Sequence, residues 1–389
     1  MLITLFHLVG ILKKEMNSFL TKIKLSMAEQ HEHIDIPEKE INNQFSYKRI
    51  AVIILLSLAI SAYLIYTSFN FDALRGIKWD AESLLWIAAG FIFLIIRHLG
   101  YMYRLRLITD KKLSWRQSFN IISLWEFSSA LTPSTVGGAA VAIYFMKKEK
   151  LSLGKSAATS MLTIFLDQIF LAVFGILIWF VVGGNKMFAS DANCRSQSDL
   201  PLMNMFHNMQ AVYFLGFVIF LIVIAGIAYG LFVNAHAFKS MLNSIFSLRF
   251  LKKWQRDAIQ TGNDIILTSE ELKTKNVGFW AKSFLSTTIT WIAFFSIPIC
   301  IIHAFFDPTF ADLPVIFSRM FAIWMLMLLP ISPGGAGIAE LTFSAMMCDF
   351  TDPALVATLA LLWRIISFYP YLFTGVIILP RWIKKVYSN

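Results

Sequence analysis

The sequence has few charged residues and few cysteines. Aspartate, glutamate, lysine and arginine make up 15% of the 389 residues, while hydrophobic types make up 57%. Soluble domains carry about a quarter charged residues, so this composition excludes a soluble domain and predicts a polytopic membrane protein. Three cysteines, Cys194, Cys300 and Cys348, show no metal-ligand spacing, and we expect no disulfide framework from them.

Catalytic signatures are also missing from the sequence. It contains no Walker phosphate loop, no G-x-S-x-G elbow and no H-E-x-x-H zinc motif. We therefore expect no enzyme activity, no cofactor and no metal. The formal charge of +10 does not indicate nucleic acid as a partner, because the lysines and arginines lie mostly in short loops between apolar segments, where they set membrane topology.

Apolar segments of about 20 residues predict membrane-spanning helices. Six segments fit: about 49–69, 83–102, 156–183, 209–233, 277–303 and 354–380. The apolar start of the chain is too short to span and has no signal-peptide features. We expect 1–48 to be a solvated cytoplasmic tail that includes His31 and His33, with Met1, Met16 or Met27 as the start.

Two further apolar stretches, 116–147 and 314–349, are broken near the middle. The breaks read LTPSTVGGAAVAIYF, with Pro133, Gly137 and Gly138, and LPISPGGAGIAELTF, with Pro333, Gly334, Gly335 and Gly337. Each arm is too short for a comfortable span. Lipid cannot satisfy the freed backbone groups, so such a break must be buried in protein or line a polar cavity. We predict two re-entrant hairpins.

Loop charges orient the predicted segments. The first hairpin is flanked on both ends by lysines and arginines, and the predicted loop before it, 103–116, contains Arg104 and Arg106, whereas only acidic residues flank the second. The positive-inside rule then predicts that the first enters from the cytoplasm and the second from outside, with both termini cytoplasmic. The halves, about 83–183 and 277–380, would form an inverted repeat within one domain, 49–385. The basic, helical-period segment within 234–276 predicts a cytoplasmic interfacial helix.

Charged residues within apolar segments are candidates for a substrate site, because each is costly in a bilayer. Asp167 and Arg364 lie near the centres of spans, so we consider a structural ion pair between them or an anion bound by Arg364. Glu126 and Glu340 complete an acidic set, although a carboxylate there also suits a helix cap. Arg97 is either an interfacial anchor or a phosphate ligand; Lys282 and Arg319 fit anchors that reach the interface.

The glycines of both breaks allow left-handed backbone angles and close approach to a ligand. A helix that begins after them points free amides at the gap and would bind an anion. In the first break these residues are Gly137 and Gly138, with Ser134 and Thr135 as hydroxyl donors. In the second break they are Gly334, Gly335 and Gly337, with Ser332 as the donor. The alternative is tight helix packing through small residues.

These motifs resemble the transmembrane region of lysylphosphatidylglycerol synthases, the flippase-like domain family. The resemblance covers about 50–385 and rests on KKLSWRQSFN, the two broken motifs, SAATSMLTIFLDQIF and LLWRIISFYPYLFTG. It implies movement of a phospholipid, not its synthesis, because the aminoacyl-transferase domain of the multiple peptide resistance factor has no counterpart here. Ala139, Ala142 and Ala339 stand where the family often has charged residues.

The sequence therefore predicts a phospholipid flippase or lipid transporter in the inner membrane of a bacterium, with an anionic headgroup held between the two hairpins. The alternative is a non-transporting scaffold or regulator of an envelope or lipid synthase. The expected partner is membrane phospholipid; a second copy of the chain and a lipid synthase are further candidates.

Overall fold

The computed structural model describes residues 79–131, 135–188, 209–248, 252, 255–327, 333–335 and 337–387. These residues form α-helices joined by turns and two short 3-10 helices, and no strand occurs among them. The helices are α1 Ala81–Ile108, α2 Trp115–Leu131, α3 Thr135–Lys148, α4 Leu153–Val182, α5 Gly184–Phe188, α6 Met209–Phe232, α7 Ala235–Phe246, α8 Gln255–Leu272, α9 Val277–His303, α10 Leu313–Met327, α11 Ile338–Met347, α12 Val356–Ser367 and α13 Tyr369–Tyr387.

Five helical segments are long and apolar enough to cross a membrane, and they match five of the six predicted spans. This confirms an all-α polytopic membrane protein. The sixth predicted span, 49–69, and the predicted tail, 1–48, lie outside the described residues. The last span is divided at Phe368 into α12 and α13, because Pro370 has no amide hydrogen to continue the helical ladder.

The first span reaches further than its apolar residues predict. Helix α1 continues to Ile108, so Arg104 and Arg106 belong to a helix, whereas the sequence placed them in a loop from 103 to 116. The helix starts at Asp80, whose carboxylate accepts from the Ser83 amide at 2.8 Å, as an N-cap does. The loop therefore begins after Ile108, and Arg104 enters the bundle.

Both broken stretches form two-armed hairpins. The arms contain 17 and 14 residues in α2 and α3, and 15 and 10 residues in α10 and α11. At 1.5 Å per residue they extend about 15 to 26 Å, less than the ~30 Å hydrocarbon core. The predicted helical breaks are confirmed, while the membrane side of each hairpin stays a prediction. We call the junction between the arms the tip: residues 132–134 in the first hairpin and 328–337 in the second.

Packing follows the pattern that a repeat requires. Helices α1 and α9 form the central pair, α2 packs against α13, and α10 packs against α4. Each second arm also packs against the segment that follows it, α3 on α4 and α11 on α12. The α1–α9 contact is close because Gly100 lacks a side chain: a Cβ there would lie 2.3 Å from Thr290 Oγ1. These contacts of the first half thus have counterparts in the second, while the inverted orientation of the two halves stays a prediction.

A carboxylate closes the base of each hairpin. Glu149, after α3, accepts from Gln117 Nε2 of α2 at 2.8 Å and from Trp382 Nε1 at 2.9 Å. Asp349, after α11, accepts from Arg319 Nη2 of α10 at 2.7 Å. The two acidic residues occupy equivalent positions in the hairpins, so both hairpins are tied at the base in the same way.

The predicted helix in the 234–276 segment is confirmed as α7, and α8 packs against it. Phe238 of α7 is buried against Gly230, and the stem of Lys239 lies on Gly262. Met241, Ile245 and Leu248 stay exposed along the other edge. Contact of this edge with lipid remains a prediction.

The prediction of no disulfide is wrong for Cys348, which is disulfide-bonded. Cys300 is a free thiol buried in α9. The sequence did not indicate this bond because disulfide pairing depends on how distant segments approach in space.

Candidate functional site

The second tip has the left-handed backbone that its glycines predict. Gly334, Gly335 and Gly337 have φ angles of 58°, 68° and 87°. Glycine adopts such angles readily because it has no Cβ, whereas other residues do not. Helix α11 starts directly afterwards, at Ile338. The backbone N–H of Gly337, the residue that precedes the helix, donates to Glu340 Oε2 at 2.7 Å. The helix-cap interpretation of Glu340 is therefore confirmed, and the tip is a compact turn with a capped helix behind it.

The first tip differs from the second. Gly137 and Gly138 lie inside α3, which begins at Thr135, so the predicted left-handed angles are wrong here. A Cβ on Gly138 would lie 1.9 Å from Ser129 Oγ of α2, which makes this glycine a close-packing position between the arms. Pro133, Ser134 and Ser332 lie outside the described residues, as do the side chains of Pro333 and Thr135.

The second tip meets the end of α2, next to the first tip. A Cβ on Gly334 would lie 2.8 Å from the Ala130 carbonyl oxygen and 2.5 Å from Phe368 Cζ. The absence of a side chain at Gly334 thus lets the backbones of the two hairpins approach. The break between α12 and α13, at Phe368, lies against the same point.

Arg364 of α12 holds the second tip in place. Its Nη2 donates to the Gly334 carbonyl at 2.8 Å, and its guanidinium lies 3.7 Å from the centre of the Phe368 ring. Arg364 Nε is 3.3 Å from Glu340 Oε1. These two atoms attract as charges but are poorly aligned, so neither has a hydrogen-bond partner among the described residues. The guanidinium is only partly satisfied.

Asp167 does not pair with Arg364. It accepts two hydrogen bonds from Arg104, at 2.6 and 2.9 Å, and a third from Trp291 Nε1 at 2.8 Å. Arg104 also donates to Thr287 Oγ1 at 2.7 Å. Of the two alternatives for these residues, the ion pair between them is excluded, because α4 lies beside α1 and α9 while Arg364 faces the second tip. Both oxygens of Asp167 accept hydrogen bonds from Arg104, so we interpret this ion pair as a structural link between α1 and α4.

Arg97 and Glu126 form a second ion pair on the same helix face. Arg97 Nη2 donates to Glu126 Oε1 of α2 at 2.9 Å; the arginine side chain is 6% exposed and the carboxylate 24%. Arg97, Tyr101 and Arg104 are spaced i, i+4 and i+7, so they share one face of α1. The Tyr101 ring lies 5.0 Å from the Arg97 guanidinium and 4.9 Å from that of Arg104.

Known proteins identify the family. A sequence model of the lysylphosphatidylglycerol synthase TM region matches residues 54–375. The chain belongs to this family. An Archaeoglobus fulgidus protein described as a UPF0104 membrane protein is 23% identical over 337 residues, covering 83% of this chain and 94% of the relative.

This member of the lysylphosphatidylglycerol synthase TM region family has alanine at three positions where the resemblance suggests a charged residue. Ala139, Ala142 and Ala339 are all buried. The buried arginines of the described residues come from other helices, at Arg97, Arg104, Arg319 and Arg364.

Lys282 and Arg319, both interpreted from the sequence as interfacial anchors, differ in their exposure. Lys282 is exposed, which suits an anchor. Arg319 is buried and donates to the Met346 carbonyl at 2.6 Å and to Asp349, so it fastens α10 to the end of α11 and does not reach out to the interface.

Proposed function

We propose that this protein moves a phospholipid across the membrane, with the anionic headgroup held where the second tip meets the end of α2. The observation that carries the proposal is the partly satisfied, buried Arg364 at this junction. Its side chain is 3% exposed and that of Glu340 9%. A phosphate offers two acceptor oxygens that match the planar guanidinium better than the misaligned carboxylate does.

The arrangement of the hairpins supports the same proposal. Two broken helices that approach each other within a bundle are the usual way to build a binding site near the middle of a membrane protein. The arms are too short to span, so polar backbone at the junction lies at depth, where lipid cannot satisfy it. A headgroup bound there would stay polar while its acyl chains remain among the apolar helix faces.

Family membership supports a lipid as the substrate, since the family takes its name from a lipid synthase. We propose a transport protein without catalytic activity of its own, located in the inner membrane of a cell with both termini cytoplasmic. Phospholipid is the proposed partner, with self-association or a lipid synthase as further partners.

Reconstitution with fluorescent phosphatidylglycerol tests the proposal. Arg364→Gln removes the guanidinium, and Gly335→Leu adds a side chain where φ is 68° and Met327 Cε would lie 3.0 Å from a Cβ. Gly216→Leu is the matched control, because a Cβ at Gly216 would have nothing within 4 Å. We expect transport by the wild type and Gly216→Leu and a strong reduction in the other two. Wild-type lipid movement no faster than in protein-free liposomes would refute the proposal.

The scaffold alternative predicts dry packing at the tips. Cysteines introduced by Thr135→Cys and Ala336→Cys would then resist water-soluble thiol reagents from both sides of the membrane. A transporter predicts that at least one of them reacts from at least one side.

A further inference from the structure

The Arg97–Glu126 pair is less satisfied than the Arg104–Asp167 pair. Arg104 donates three hydrogen bonds, two to Asp167 and one to Thr287. Arg97 donates one, to Glu126, and its Nη1 is buried without a hydrogen-bond partner among the described residues. A buried donor left without an acceptor is costly, so it is usually retained only where a ligand or water completes it.

Two further polar atoms near Arg97 are also buried and lack a hydrogen-bond partner among the described residues. They are the hydroxyl of Tyr371 in α13 and Nε2 of His98 in α1. The Tyr371 ring lies 5.2 Å from the Arg97 guanidinium and 5.8 Å from the His98 ring. Three polar groups therefore lie together between α1 and α13. None of them makes a well-aligned hydrogen bond within the described residues, although the Tyr371 hydroxyl and the Arg97 guanidinium are close enough to interact.

The surroundings explain how Arg97 tolerates burial without a ligand. The rings of Tyr101 and Phe294, each 5.0 Å away, join Tyr371 around the guanidinium. Their faces attract a cation but offer no lone-pair acceptor for Nη1. The Glu126 side chain is more exposed than that of Arg97, 24% against 6%, so a ligand that approaches from its side would reach Arg97 past the carboxylate.

We infer that Arg97, His98 and Tyr371 form a phosphate-binding subsite between α1 and α13, distinct from the junction at Gly334. A guanidinium, a phenol and an imidazole N–H are all donors, and phosphate is rich in acceptors and pairs strongly with arginine. The group comes either from a phospholipid or from free phosphate. The lipid source rests on the proposed function; the subsite itself does not.

Tyr371→Phe is the decisive variant, because it removes only the hydroxyl and preserves the ring. The full chain, purified in a phosphate-free maltoside detergent, is titrated calorimetrically with inorganic phosphate, with dihexanoyl phosphatidylglycerol and with a short-chain diacylglycerol that lacks phosphate. Tyr213→Phe is the control, since Tyr213 is buried to the same extent, 6% exposed, and contacts other helices. Arg97→Gln is measured alongside.

We expect binding of at least one phosphate-bearing probe to the wild type and Tyr213→Phe, with no binding of diacylglycerol. Tyr371→Phe should bind the phosphate-bearing probe at least about tenfold more weakly, which is the loss typical of one hydrogen bond to an anion. Without ligand it should melt close to the wild type, because the Tyr371 hydroxyl makes no well-aligned hydrogen bond within the described residues. Arg97→Gln should lose the binding event that Tyr371→Phe weakens, and any binding at the Arg364 junction should remain. Binding of phosphatidylglycerol alone identifies a lipid source, and binding of both identifies the phosphate group.

Wild-type affinity in Tyr371→Phe would overturn the subsite, as would a wild type that binds neither phosphate-bearing probe. Lipid movement by the wild type in liposomes is measured separately. Lipid movement without binding at this subsite would overturn the subsite and leave the proposed function intact. Binding at the subsite without lipid movement would overturn the proposed function and leave the subsite intact.

Discussion

Gly334→Ala tests the contact between the hairpins. The residue has a φ of 58° and a ψ of 16°, a left-handed conformation that costs an alanine roughly 1 to 2 kcal/mol. The new Cβ would also lie 2.8 Å from the Ala130 carbonyl oxygen. Because that atom is backbone, α2 and the second tip must move apart, and overpacking of this kind costs about 1 to 3 kcal/mol. The expected total is ~2 to 5 kcal/mol.

Thermal unfolding of the purified protein and lipid movement in liposomes measure the two consequences. Gly183→Ala is the control for backbone strain alone, because Gly183 has a φ of 79° and a ψ of 148°, a conformation that essentially only glycine adopts, while a Cβ there would have nothing within 4 Å. It carries backbone strain without the collision. We expect Gly334→Ala to melt below Gly183→Ala and to lose transport, which Gly183→Ala should retain. Equal melting and transport in the two variants would refute the proposed contact.

Two further predictions concern ion pairs away from the tip. Asp167→Asn or Arg104→Gln should lower the free energy of unfolding by about 3 to 5 kcal/mol, since each leaves a buried charge without its partner. In denaturation experiments the double variant should lose less than the sum of the two single losses. Additive losses would contradict the interaction between Arg104 and Asp167. Outside the spans, burial acts to raise the pKa of Asp110, but hydrogen bonds from Lys275 and Lys155 outweigh it and leave this pKa below its ordinary value. Its stabilising contribution should therefore be present at neutral pH and disappear as pH falls through that lowered pKa, a loss that Asp110→Asn should abolish in acid melting curves.

The sequence predicts the helical architecture well because membrane spans depend on apolar length. The two breaks are equally visible, since proline and paired glycines interrupt otherwise apolar stretches. Glu340 as a cap follows from its position three residues after Gly337. These features are local, so no knowledge of neighbouring helices is needed to predict them.

Pairing between helices is not local, and the predictions that depend on it are wrong or incomplete. Arg104 was assigned to a loop because charged residues surround it, yet α1 carries it inward to Asp167. Its i+7 spacing from Arg97 was the available signal. Gly137 and Gly138 are compatible with both a turn and a helix, and close packing against Ser129 selects the helix. Tyr371 gave no signal at all, because an aromatic residue in a span is ordinary.

Transbilayer movement of fluorescent phosphatidylglycerol in proteoliposomes tests the central claim most directly. A membrane-impermeant quencher reads how much labelled lipid reaches the outer leaflet. We predict that the wild-type protein exposes lipid from the inner leaflet and that Arg364→Gln, incorporated at equal density, does not. Quenching confined to the outer leaflet with the wild type, as in protein-free liposomes, would contradict the account.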